Sequence, residues 1–274
     1  MSSLKTWKKV LLSILIALVV AVCIFPFVWM LMTSLKTRVQ AINPAIWIFT
    51  PTLENYRSVF QKRDLLLYIK NSAIVVVTTT AISIFLGTLA AYGFARFHFS
   101  RKEDVAFWIL SLRMLPPMAV VIPFFLLGRF LGLLDTHILL AIVYLSFNIP
   151  FTIWMMRGFI EEIPQEIEEA ALIDGCSRLR VLTKIVFPLT LPGIAATAIF
   201  CVIQSWNEFA LAFFLTSFNA RTVPTTVTFF LSVMGIIWGE MAAVGVVASI
   251  PVLAFAFVVQ KYLVRGLTFG AIKS

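Results

Sequence analysis

The densest run of ionisable residues in this 274-residue chain lies between Arg157 and Pro188. Glu161, Glu162, Glu166, Glu168, Glu169 and Asp174 supply six of the 13 acids there, and Arg178, Arg180 and Lys184 follow. Carboxylates at such density can hold a metal, move protons or meet the arginines of another protein. The first two uses need companions that the sequence lacks: there is no HExxH, and His98 and His137 stand too far from each other and from the acids to suggest a metal site or a triad. A phosphate-cradling loop is also absent, because no GxxxxGKS or GxxxxGKT occurs and no glycine is followed by lysine.

The local pattern favours the third use. Pro164 fits the first position of a helix and Gly175 the position just past its end, which bounds about three turns. At helical spacing Ile163, Ile167, Ala170, Ala171 and Asp174 share one side, with Glu166 and Glu169 on the next. Ser177 can cap a second short helix running through Lys184. Small side chains allow another surface to approach closely, so this helix-turn-helix suits docking; a solvated connector, whose charges merely keep it wet, fits these residues equally well.

Such a loop must be carried by something, and composition says what. The chain is 61% hydrophobic and 13% charged, with 26 Phe and a mean hydropathy of +0.98, whereas a soluble domain has about 45–50% apolar and about 25% charged residues. A water-soluble globular protein is excluded. About 20 apolar residues cross a bilayer as a helix, and windows free of charge, or broken by one charge, run over 10–33, 71–95, 105–127, 138–156, 185–220, 222–239 and 241–260. We count six spans. The segment from Thr222 to Gly239 holds four threonines, Pro224 and two glycines, which suits a short re-entrant or surface helix on the outer side. Lys5, Lys8 and Lys9 precede 24 uncharged positions, longer than a signal core, so the first window reads as an uncleaved anchor.

Six spans return both termini to one side. With the N-terminus in the cytoplasm, 13 Lys and Arg fall inside and eight outside, which favours both ends inside. The net charge of +9 is dispersed between apolar runs, without the basic-aromatic stripe of a nucleic-acid binder. Cys23, Cys176 and Cys201 lack CxxC spacing and read as small apolar residues. Trp108, Trp154 and Trp238 lie near span ends, where indoles anchor at the interface.

Two charges fall within spans. Arg113 and Glu208 must face a cavity or a partner at that depth. Either Trp206, Asn207 and Glu208 line a passage, the indole stacking on a sugar face, or Arg113 and Glu208 pair and serve packing alone. Pro116, Pro117 and Pro123 remove backbone donors from the third span and should bend or break it.

The run Glu169-Ala170-Ala171, three residues, Gly175, nine residues, Ile185, one residue, Phe187-Pro188 resembles the EAA loop of permease subunits of binding-protein-dependent ABC importers. Thr33-Ser34-Leu35-Lys36, Arg113-Met114-Leu115-Pro116-Pro117, Gly132-Leu133-Leu134-Asp135-Thr136, Ser205-Trp206-Asn207-Glu208-Phe209, and Arg265-Gly266-Leu267-Thr268 with Gly270-Ala271 are similar to the carbohydrate branch, in particular the second permease of maltose-type systems. Phe187 stands where the family usually has Leu, and Cys176 where it usually has Ala.

The resemblance implies an all-α membrane protein of type I importer architecture: one transmembrane permease domain over 1–274, with a cytoplasmic coupling loop over 161–187 between spans four and five. It implies that Glu169, Ala170, Ala171, Asp174 and Gly175 couple to an ATPase, and that Arg113, Trp206, Asn207 and Glu208 belong to the substrate path. The chain itself would bind no cofactor; ATP and Mg would sit on two partner ATPase subunits. A second permease and an external binding protein would complete the assembly in a bacterial or archaeal inner membrane. A non-sugar ABC substrate and an ion-coupled secondary transporter using Arg113 and Glu208 are the alternatives.

Overall fold

The computed structural model describes residues 6–232 and 235–269; Gly270, Ala271 and Lys273 lie outside them. Among the described residues four helices are long and apolar enough to span a membrane: Trp7–Ser34 within α1 (Thr6–Ser34), α4 (Leu65–Arg96), α7 (His137–Glu161) and Trp238–Phe257 within α13 (Trp238–Phe269). Two bent pairs pass the same test, Lys102–Met114 with Pro117–Phe130 and Arg178–Leu189 with Leu191–Trp206, which gives six spans when each pair is one crossing.

The bends fall where proline chemistry puts them. In the third span α5 (Lys102–Ser111) runs into a 3-10 turn ending at Met114, and α6 restarts at Pro117, turned by 92°. Leu115 and Pro116 each precede a proline, and both take extended backbone, with ψ of 123° and 133°. Pro123 lies inside α6 (Pro117–Phe130) without breaking it. In the fifth span α9 (Arg178–Val181) widens into a π-helical stretch over Leu182–Val186 before α10 (Phe187–Leu189). Pro188 lacks the donor for the Lys184 carbonyl and its ring crowds it, a conflict that a wider turn relieves. The chain then bends 77° into α11 (Leu191–Trp206).

The segment expected to be a short helix from Thr222 to Gly239 differs. It forms a 3-10 helix over Val223–Phe230 and an antiparallel ribbon pairing Leu231 with Ile236 and Ser232 with Gly235. Its β-branched threonines and valines favour these tighter or extended forms over an α-helix.

The chain packs as two compact units, one of residues 1–66 and 227–250, the other of 67–226 and 251–274. In the first, the most apolar 18 residues of α1 have a mean hydropathy of 3.0 and none of them is buried, while Thr33 and Ser34 at its end are. Its end is tied down by α3 (Glu54–Lys62): Asn55 Nδ2 donates to the carbonyls of Ser34 and Lys36 at 2.8 and 2.7 Å. Lys36, in the Thr-Ser-Leu-Lys motif, is buried with its ammonium over the rings of Trp29 and Phe49.

In the second unit α7 is the spine. Leu139, Leu140, Val143 and Tyr144 pack with Val75, Val121 and Leu211 in one core, while Met156 and Ile160 pack with Ala91, Tyr92, Val181 and Val186 in another. At Gly193 of α11 a side chain would overlap the ring of Phe159, so glycine sets how closely α11 approaches α7.

The Gly-Leu-Leu-Asp-Thr motif has a physical explanation here. Asp135, at φ 58°, receives the backbone N–H groups of Ser217, Phe218, Asn219 and Ala220 at 2.9–3.2 Å, clamping the loop after α12 (Ala210–Leu215), and Thr136 caps α7. Partial burial works against the charge, yet these N–H donors hold the Asp135 carboxyl below its ordinary value. A carboxyl depressed on folding stabilises above its unfolded pKa and loses that contribution as pH falls through the folded one. Asp135→Asn should therefore lower thermal stability in detergent at pH 7 by about 1 kcal/mol, discounted for exposure. Thermal melts of both proteins should begin to approach each other at about pH 3.9 and converge only below the depressed folded value; a gap unchanged there would refute the charge term.

Candidate functional site

The acidic loop forms α8 (Gln165–Ile173), with Pro164 at the N-cap, one position before the first helical residue expected of it. At the other end Gly175 has φ 85°, its N–H bonds to the Leu172 carbonyl at 3.1 Å, and the Cys176 N–H bonds to that of Ala171 at 3.0 Å. This paired closure needs positive φ just beyond the cap, which glycine supplies without a steric penalty. Ser177 accepts from the Arg180 N–H and starts α9 as expected.

The helix is rotated relative to the sequence reading. Ala171, Leu172 and Cys176 pack onto the core beneath, while Glu166, Ile167, Glu169, Ala170, Ile173 and Asp174 face out. The two alanines are therefore divided, Ala170 free and Ala171 half-buried. The outer face is apolar at its centre and acidic at its edge, and Ile173 is 86% exposed.

Sequence reasoning missed Glu168, named only as one of the six acids of the run and given no role of its own. It is buried and ion-paired with Arg96 at 2.6 Å, with Tyr92 donating to its second oxygen. The signal was the spacing: Glu168, Ala171 and Leu172 share one helical side, so an acid there turns inward with its apolar neighbours.

The residues proposed for the path are not gathered around one cavity. Trp206, 6% exposed, lines a cavity of about 510 Å³ with Val77, Thr80 and Phe85 of α4, Ala198 of α11 and Phe255 of α13. Among these walls only the Thr80 and Trp206 side chains carry a polar atom, and the Thr80 hydroxyl has no partner among the described residues. Asn207 is exposed and turns back to cap α11, donating to the Ile203 carbonyl at 2.9 Å. Glu208 lies on a separate cavity of about 30 Å³. Its Oε1 accepts the Leu211 N–H at 2.8 Å, and Oε2 accepts the Ala212 N–H at 3.0 Å and the Tyr144 hydroxyl at 2.9 Å.

Arg113 and Glu208 do not pair. The Arg113 guanidinium stacks 4.1 Å over the Phe151 ring, with Nη2 3.5 Å from Gln204 Oε1, the outer limit of a hydrogen bond. Among the described residues no group of three His, Cys, Asp or Glu could hold a metal. Chemically, the arrangement offers an outward-facing helix closed at its C-terminal end, and two apolar helix pairs that are each bent at a proline.

Known proteins share this construction. The family described as "Binding-protein-dependent transport system inner membrane component" matches residues 83–269. A probable ABC transporter permease of Sinorhizobium fredii is 38% identical over 98% of this chain and 97% of its own. The trehalose/maltose transport system permease MalG of Thermococcus litoralis is 35% identical over 97% of each. Among solved structures, a chain of a bacterial ABC transporter involved in importing the acidic polysaccharide alginate superposes with a TM-score of 0.79, at 22% identity, over 96% of this chain and 98% of its own. The chain thus belongs to the family of inner-membrane components of binding-protein-dependent transport systems, as an ABC importer permease.

Proposed function

We propose that this permease carries a sugar or oligosaccharide inward, with a second permease, two ATPase subunits that bind ATP and Mg, and an external binding protein that delivers the substrate. The observation that carries the reading is the free face of α8, closed at its C-terminal end by the Gly175 turn and apolar at Ile167, Ala170 and Ile173, with Glu166, Glu169 and Asp174 beside it. It has the size and charge to seat in a cleft of an arginine-bearing ATPase. On this reading α8 and both termini are cytoplasmic, which the excess of Lys and Arg on that side supports. The naming of relatives as trehalose/maltose and diacetylchitobiose permeases supports a saccharide substrate.

ATP-driven closure of the ATPases would shift α8, and rigid-body motion of the bundles would expose the passage alternately to each side. Arg113, Trp206 and Asn207 would border that passage, and Glu208 would hold α12 in place beside it.

The full assembly in proteoliposomes should take up radiolabelled di- or oligosaccharide only with ATP and binding protein present. Uptake by this chain alone, driven by an ion gradient, would refute the reading. ATP-dependent uptake of amino acids but no saccharide would refute the substrate class.

A further inference from the structure

Three helices of the second unit meet at one guanidinium. Arg96, the last residue of α4, donates from Nε to Glu168 Oε1 at 2.6 Å and from Nη2 to the carbonyls of Ile160 and Ile163 at 2.8 Å each. One carbonyl belongs to the last turn of α7 and the other to the turn leading into α8. Tyr92, one turn earlier on α4, donates to Glu168 Oε2 at 2.8 Å. Both members of the ion pair are buried, their side chains 5% and 3% exposed. Just beyond, Arg178 of α9 lies over the Phe97 ring.

Apolar contact alone could hold α8 to this core, because Ala171, Leu172 and Cys176 already pack there. Such contact is non-directional, and a short helix resting on it can roll or slip when loaded from outside. The bonds to Arg96 run in three directions from one rigid planar group and stop both movements. A buried ion pair is a poor source of net stability and a good source of fixed geometry.

Resting on the reading of α8 as the ATPase-docking helix, we propose that Arg96 and Glu168 are positioning residues that make α8 move as one body with the ends of α4 and α7. Displacement of the docked helix then reaches the spans and is not absorbed at a hinge. Adjacent acids have opposite tasks: Glu169 faces the partner, and Glu168 faces the lever.

The test uses the complete transporter with its ATPases and binding protein. It reads co-purified ATPase, basal hydrolysis, and the stimulation of hydrolysis by loaded binding protein. In Glu168→Ala and Arg96→Gln, ATPase should co-purify at the wild-type ratio and hydrolyse at the basal rate, while stimulation falls about tenfold, the size of an ordinary coupling free energy. Glu168→Gln keeps the shape and an acceptor for Arg96, so it should retain more stimulation than Glu168→Ala yet less than wild type. Glu169→Ala should instead lose co-purified ATPase.

Wild-type stimulation in Glu168→Ala overturns the positioning role. So does a loss of co-purified ATPase in Glu168→Ala equal to that in Glu169→Ala, because Glu168 would then serve docking. If Glu168→Ala does not accumulate in the membrane, Glu168→Gln decides, and stimulation equal to wild type overturns the proposal. The Glu169→Ala arm reports on the docking reading separately.

Discussion

Gly175→Val is expected to abolish substrate-stimulated ATP hydrolysis and transport while the permease still reaches the membrane. At φ 85° an L side chain meets its own backbone, at a cost of about 1–2 kcal/mol, and a β-branched one suffers most. The least costly escape is to leave positive φ, which breaks the Gly175 and Cys176 bonds to the Leu172 and Ala171 carbonyls. α8 then frays from its C-terminal end, where Ala170, Ile173 and Asp174 form the free face, and α9 leaves in another direction. No neighbouring atom lies within 4 Å of where the new Cβ would stand, so the effect comes from backbone angle and not from crowding. Gly175→Asn supplies the control, since asparagine tolerates this region better than valine, and it should keep much of the activity. Ala170→Trp should reach the same loss by the other route, blocking close approach on an intact helix. Normal ATPase co-purification and stimulation in both Gly175→Val and Ala170→Trp would return α8 to a solvated connector.

Much of this fold could be read from sequence because its strongest determinants are local. Apolar windows, two of them broken by a single charge, led to six spans, matched among the described residues by four long helices and two bent pairs, and consecutive prolines after Leu115 led to the break in the third, since each acts only on its immediate neighbours. Gly175 likewise ended α8 through its own torsion. What resisted reading was rotational phase. Three turns with apolar residues on two sides leave open which side faces the core, and the answer depended on Arg96, which lies 72 residues away from Glu168.

The same limit governed the membrane charges. Sequence said that Arg113 and Glu208 must find partners, but their partners, Phe151 and the N–H groups of Leu211 and Ala212, became evident only from the packing of α7 and α12. The threonine-rich stretch after Arg221 failed for a different reason. Composition disfavoured a span there, but it could not distinguish a short helix from a 3-10 turn with a ribbon.

Glu208→Ala is expected to remove most of the assembled permease from the membrane, because this carboxylate closes the start of α12. Its loss leaves the N–H groups of Leu211 and Ala212 and the hydroxyl of buried Tyr144 without their acceptor. Each unsatisfied buried group costs about 1–3 kcal/mol, so three together approach the whole stability of an ordinary domain, about 5–15 kcal/mol. Transport per assembled complex should change little, since both carboxylate oxygens already serve the protein. Trp206→Phe should behave in the opposite way. The smaller ring keeps most of the apolar packing beside the cavity of about 510 Å³, so assembly should hold. Sugar transport per complex should fall, because the indole gives a larger stacking face than the phenyl ring. The measurement is membrane-assembled complex by quantitative blotting, with ATP-driven uptake normalised to it. Full assembly of Glu208→Ala with uptake lost would move Glu208 from helix support to substrate contact, and loss of assembly in Trp206→Phe with uptake per complex intact would assign the indole to packing.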